Sequence, residues 1–189
     1  MPNIESSSNS VLVVGASRGI GAELVRQYLA DGFRVHATVR DPAAPGELEG
    51  LAGPLVLHTL DVRDPDQTAA VAADLAGANL GIVIHNAGIG RPFPREEIME
   101  VNAVAPIRMC EALLGAGAVR DGGVIAIMTS QMGSRRGRTG SLGNYGDSKA
   151  LLNDEFRRRS TDWREQGILA IVVHPGWVRT EMGGPEASL

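Results

Sequence analysis

The chain has 189 residues, 43% of them hydrophobic, enough for one domain with its own core. A net charge of -4 gives no global case for nucleic-acid or membrane-surface binding, and no apolar run approaches the roughly 20 residues of a membrane span. The single cysteine, Cys110, cannot form an internal disulfide, fits a reducing compartment, and sits in the apolar pattern IRMCEALL as a buried structural thiol.

Residues 1–9 are polar, lack the layout of a signal peptide and read as a disordered leader; residues 10–189 read as one domain, with the cytoplasm as the expected location. VLVVG predicts a first buried strand, and GAELVRQYLADG a helix with apolar spacing at Leu24, Val25, Tyr28 and Leu29. FRVHATV predicts strand two and PLVLHTLDV strand three, after a short helix near 47–51. PDQTAAVAADLA predicts a helix opening on Pro65. LGIVIHNAG predicts strand four, and residues 96–115 a helix kinked at Pro106. GGVIAIMTS is strand five, residues 144–166 a long helix, and ILAIVVHPG strand six. Strands this apolar are covered on both faces, so the expectation is an α/β fold of Rossmann type, a doubly wound parallel sheet in the order 3-2-1-4-5-6.

Strand one runs into GASRGIG, with Gly15, Gly19 and Gly21. Glycines allow a tight turn and close approach of backbone amides to a pyrophosphate at a helix N-terminus, although a glycine-rich turn without a ligand is the competing reading of the motif alone. Strand two ends in Arg40 and Asp41. An acid there favours NAD and an arginine NADP. Arg18 tips the choice to NADP(H), with NAD(H) possible, because two arginines can converge on a 2′-phosphate; Asp41 precedes Pro42 and can instead cap the next helix. Two solvated surface charges are the plainer account of Arg18 and Arg40.

Tyr145 stands one helical turn before Lys149 in GNYGDSKA. A cation on the same helix face draws a phenol pKa from about 10 toward working pH, which suits a tyrosine that hands a proton to a carbonyl oxygen. Ser130 ends strand five, where open α/β sheets place ligands. By itself the Tyr-x-x-x-Lys pair is also what two neighbours on a solvated face look like.

Together GASRGIG, LDV, HNAG, VNAVAP, TSQMG, YGDSK and HPGWVRTEM resemble, in order and over nearly the whole chain, the short-chain dehydrogenase/reductase family, and HPGWVRTEMGGP its C-factor-like and sniffer-type carbonyl reductase branch. The resemblance implies a catalytic tetrad of Asn102, Ser130, Tyr145 and Lys149, with Asn102 holding a water that links Lys149 to solvent. It places Gly15, Ser17, Arg18, Gly19, Ile20, Gly21 and Arg40 against the cofactor, Asp61 on the adenine amino group beside Val62, and Asn86, Ala87 and Gly88 along the cofactor. Tyr145 and Lys149 also face the cofactor, Lys149 through its ribose, and Pro175, Gly176, Val178 and Thr180 frame the nicotinamide. The whole of 10–189 is then a dinucleotide-binding domain that also carries the catalytic residues.

The implied activity is hydride transfer between NADP(H) and a small carbonyl or alcohol, in a homodimer or homotetramer, without nucleic acid, membrane or metal. A dinucleotide-binding regulatory or signalling protein with little turnover is the alternative; a nucleotide-sugar epimerase would need a further substrate domain. The family's usual last helix and seventh strand are not in the sequence after Leu189, which predicts an open apolar edge at strand six. His85 and His174 are read as packing residues before proton carriers, Arg135, Arg136 and Arg138 as a solvated loop before a site for an acidic substrate, and Arg157, Arg158 and Arg159 as an exposed helix face or subunit contact.

Overall fold

The computed structural model describes residues 9–136, 140–141 and 143–189. Arg138 and all but Asn9 of the expected leader lie outside them. The strands are β1 (Ser10–Val14), β2 (Arg34–Val39), β3 (Leu55–Thr59), β4 (Leu80–His85), β5 (Val119–Met128) and β6 (Leu169–Val173). They pair in parallel as β3-β2-β1-β4-β5-β6, the order the apolar runs predict. The helices are α1 (Gly19–Ala30), α2 (Pro65–Asp74), α3 (Arg95–Met99), α4 (Ala105–Gly115) and α5 (Gly143–Glu165).

Alternate residues of β1 point to opposite faces, and both are buried. Leu12 and Val14 join Val83, Ile125 and Ile127 under α2, α4 and α5, where Val71, Met109, Leu113 and Leu152 complete one core. Val11 and Val13 join Val35, Ala37 and Val25 of α1 in the other. A strand apolar at every position is thus used on both faces, the condition for a parallel sheet. Cys110 is fully buried in the first core, and burial pushes its thiol up to about 12, so it is a packing residue.

Two expectations change. The helix expected over 96–115 is instead α3, a π-helical turn over Glu100–Val104, and α4. Pro106 falls in the first turn of α4, where a missing N–H costs nothing, so the departure from straightness is the π turn ahead of it. The short helix expected near 47–51 is a 3-10 turn over Gly46–Leu48. Among the described residues β6 ends the sheet, with Leu169 58% and Ile171 40% exposed, as the run ILAIVV foretells.

At the opposite side, His36 of β2 and His58 of β3 meet with Nδ1 and Nε2 3.0 Å apart. Burial pushes His36 down to about 4, aided by His58 and Arg34; burial also lowers His58, against the pull of Asp74 on α2. The unfolded chain therefore binds more protons than the folded one below about pH 6.5, so stability present above that pH is lost as pH falls toward 4. Urea midpoints measured between pH 7.5 and 4.5 are expected to decline with acidification, and His36→Gln to flatten that slope.

Candidate functional site

The expected tetrad is assembled at the carboxyl ends of β4 and β5. The π turn carries Asn102 inward, where it is fully buried. Its Oδ1 accepts from the Ile89 N–H at 2.8 Å; its Nδ2 donates to the Ile89 carbonyl at 2.8 Å and to Ser148 Oγ at 3.0 Å. Ser148 in turn donates to the Tyr145 carbonyl at 2.7 Å. One amide thus ties the loop after β4 to the first turns of α5. The side chain of Asn102 is thus a clamp between that loop and α5.

Ser130 follows β5 and caps the 3-10 turn Gln131–Gly133, its Oγ accepting from the Met132 N–H at 3.2 Å. It also stands near enough to Tyr145 to act on its phenol. Burial pushes the Tyr145 phenol above its ordinary value, and Ser130 draws it partly back. Lys149 Nζ donates to the Met128 carbonyl at 2.8 Å and lies 5.9 Å from the tyrosine ring centroid. The lysine is 4% exposed, and burial pushes its own pKa down to about 8. A side chain added at Gly88 would come within 3.3 Å of Asn102 Oδ1 and 3.8 Å of Lys149 Nζ, so this glycine floors the site.

The glycine-rich turn is built as its spacing predicts. Gly15 has φ +80°, donates to Thr38 Oγ1 at 3.0 Å, and approaches Ala87 so closely that a Cβ would lie 2.6 Å from its Cα. Asn86 Nδ2 donates to the Gly15 carbonyl at 2.9 Å, which binds β4 to the turn. At Gly21 a Cβ would sit 2.2 Å from the same carbonyl. Ile20 lies between the two glycines at the start of α1. Beside the turn an open cleft of about 330 Å³ is lined by Ser17, Val39, Arg40, Asp41 and Ala44.

Several charged residues are engaged in ways the sequence does not show. Arg18 forms an ion pair with Glu181, and Arg40 lines the cleft apart from it. Asp41 accepts from the Ala43 N–H at 2.9 Å and so closes a turn, not the helix it was expected to cap. Asp61 is gripped by Arg63, with Nη2 to Oδ2 at 2.5 Å, and that hydrogen bond holds its carboxyl below the usual range. Arg63 reaches Glu97 of α3 at 2.7 Å, and the Val62 carbonyl accepts from Arg108 at 2.6 Å. Arg135 pairs with Asp154 at 3.6 Å; Arg157 pairs with Asp154, Arg158 with Glu155, and Arg159 with Glu111 and Glu155. His85 is enclosed at the end of β4, where burial drives its pKa down to about 3, and His174 is exposed. Among the described residues no group of three or more acidic, histidine or cysteine side chains could hold a metal ion.

The segment after β6 returns over the turn. Gly176 packs on Leu189, the Arg179 N–H donates to the Leu189 carbonyl at 2.8 Å, and Thr180 donates weakly to the Val178 carbonyl at 3.4 Å. A Cβ at Gly19 would meet Thr180 Cγ2 at 3.2 Å, so the segment that begins at Pro175 lies directly above the glycine-rich turn. Sequence reasoning missed Thr38, Glu47, Ser148 and Glu181. Ser148, inside YGDSK, and Glu181, inside HPGWVRTEM, stood in motifs; Thr38 and Glu47 did not.

Comparison with known proteins agrees with this geometry. The short chain dehydrogenase family matches residues 9–188. The chain is 35% identical over 133 residues to C-signal of Myxococcus xanthus, covering 64% of this chain and 78% of that protein. It is 30% identical to bovine (Bos taurus) retinol dehydrogenase 8, covering 93% of this chain and 61% of that one. Among solved structures it superposes on a short-chain dehydrogenase/reductase from Burkholderia multivorans with bound NADP at TM-score 0.88, with 35% identity and coverage of 96% of this chain and 85% of that one. The carbonyl reductase Sniffer of D. melanogaster gives 0.83 at 29% identity, covering 96% and 86%. The C-factor-like and sniffer-type resemblance is borne out by these relatives.

The site tolerates little change where loop and helix touch. A Cβ at Gly133 would lie 2.6 Å from the Lys149 carbonyl carbon. Gly133→Ala is expected to cost about 1–3 kcal/mol by urea denaturation, while Gly115→Ala, with open space around it, stays within about 1 kcal/mol of the parent.

Proposed function

The chain belongs to the short-chain dehydrogenase family, an oxidoreductase family, and on that premise we propose that it is an NADP(H)-dependent carbonyl reductase in which Asn102, Ser130, Tyr145 and Lys149 do the chemistry. The observation that carries the reading is that a half-buried Tyr145 stands beside Ser130, which draws its phenol partly back from the shift that burial gives it, with Lys149 one helical turn away and its ammonium 5.9 Å from the ring centroid. The glycine cradle, the cleft and Arg40 fit an NADP(H): the amides of the turn suit a pyrophosphate, and a guanidinium at the end of β2 suits a 2′-phosphate. NADP is the ligand of the Burkholderia multivorans protein and NADPH that of a chicken fatty liver carbonyl reductase, 35% identical and superposing at TM-score 0.82 over 93% of this chain and 82% of that one.

When bound, the nicotinamide supplies a hydride to the carbonyl carbon. Tyr145 gives its proton to the carbonyl oxygen; burial keeps that proton on the phenol until the oxygen takes on charge. Ser130 polarises the same oxygen through its hydroxyl. The charged Lys149 stabilises the phenolate left behind, and its lowered pKa makes its proton available near neutrality. Asn102 keeps the β4 loop and α5 in register while this happens. Small carbonyls or alcohols are the substrates, the cytoplasm the location, and a homodimer or homotetramer the assembly of this reading.

The alternative, a dinucleotide-binding regulator with little turnover, would leave the four side chains without work. Tyr145→Phe is expected to lower reduction of an accepted carbonyl by roughly 10²–10⁴-fold with NADPH binding kept, and Ser130→Ala to act in the same direction. Retention of more than about a tenth of parental activity in the phenylalanine variant would exclude the assignment. Activity of the parent is expected to decline as pH rises through about 8, where Lys149 loses its charge. Arg40→Asp is expected to erase the preference for NADPH over NADH in a fluorescence titration.

A further inference from the structure

The N-terminus of α1 is capped from outside the helix. Arg18 occupies the cap position without a side-chain bond to the helix end, and the first turn holds no acid. The amide that such a turn would offer to a phosphate is already used: Gly19 N–H donates to Glu47 Oε1 at 3.0 Å. The contact is supported on both sides. The Glu47 N–H donates to the Ser17 carbonyl at 2.9 Å, and Gly46, with φ +69°, passes so near that a Cβ would lie 2.3 Å from the same oxygen. Glu47 Oε2 is held by Arg26 at 3.0 Å. The 3-10 turn Gly46–Leu48 is therefore fastened to the glycine-rich turn at its backbone, with its carboxylate laid on the helix end.

We propose that Glu47 is an internal competitor for the phosphate-binding turn and so sets how tightly, and how selectively, this chain holds a phosphorylated dinucleotide. The inference rests on the reading that this turn and the cleft beside it take NADP(H). A carboxylate and a phosphate cannot share one amide, since both are acceptors and both are negative. A cofactor phosphate must turn Glu47 off Gly19. Glu47 keeps Arg26 as it leaves, so the exchange costs the backbone contact and not the ion pair. The Glu47 carboxylate lies on the amide of the residue next to Arg18, a guanidinium that this reading gives to the 2′-phosphate. Glu47 thus weighs more on NADPH than on NADH.

Fluorescence titration of the full chain with NADPH and NADH tests this. Glu47→Gln is expected to raise NADPH affinity roughly two- to fivefold and NADH affinity by less, the scale of an exposed charge contact. Glu47→Ala is expected to move in the same direction. Glu23→Gln, which removes the other carboxylate on Arg26 without touching Gly19, is expected to leave both affinities unchanged. The melting temperature of the free Glu47→Ala chain is expected to fall, because α1 loses its cap. A parent that binds NADPH and a Glu47→Gln chain with equal or weaker affinity would overturn the inference alone, as would an equal gain in Glu23→Gln. A parent that binds neither dinucleotide would overturn the underlying reading and the inference with it.

Discussion

The site depends on the amide of Asn102. Its three hydrogen bonds join a loop that leaves β4 to a helix that begins more than forty residues later in the chain. The amide is buried completely, so each bond is made away from competing water and each is costly to lose. A π turn occupies this point in the chain, with residue 102 buried within it, and α4 resumes directly after. With Asn102 in place, Ser148 can hold the Tyr145 carbonyl, and the phenol comes to Ser130 and the lysine to the end of β5.

Electrostatics differs between the proposed catalytic residues and the glycine-rich turn. At the proposed catalytic end the groups are withdrawn from water and few: a phenol raised by burial and a lysine lowered by it, so that the lysine gives up its proton before the phenol. At the glycine-rich end the charges are exposed and balanced. Arg18 faces Glu181, Arg26 faces Glu23 and Glu47, and Arg40 shares a cleft with Asp41. Exposed pairs are individually weak, so an incoming phosphate can exchange with them without disturbing the fold. The segment after β6 closes on the glycine-rich end: Thr180 lies over Gly19 while Glu181 holds Arg18.

The sequence by itself determined the sheet and most of the site. Strands apolar at every position could be buried only on both faces, which made the sheet parallel and its order readable, and glycines without room for a side chain marked the turn from spacing alone. Asn102, Ser130, Tyr145 and Lys149 were legible because each stands in a motif. The tertiary structure decided what those residues touch. Nothing local says that Asn102 spends its amide on Ile89 and Ser148, that Lys149 turns to the Met128 carbonyl, or that Arg18 is met by Glu181 and Gly19 by Glu47. Those contacts join residues 13 to 163 positions apart, and period and composition describe only neighbours along the chain. The same holds for the phenol of Tyr145: helical spacing pointed to Lys149 as its cause, but burial, which belongs to the packed whole, sets its direction.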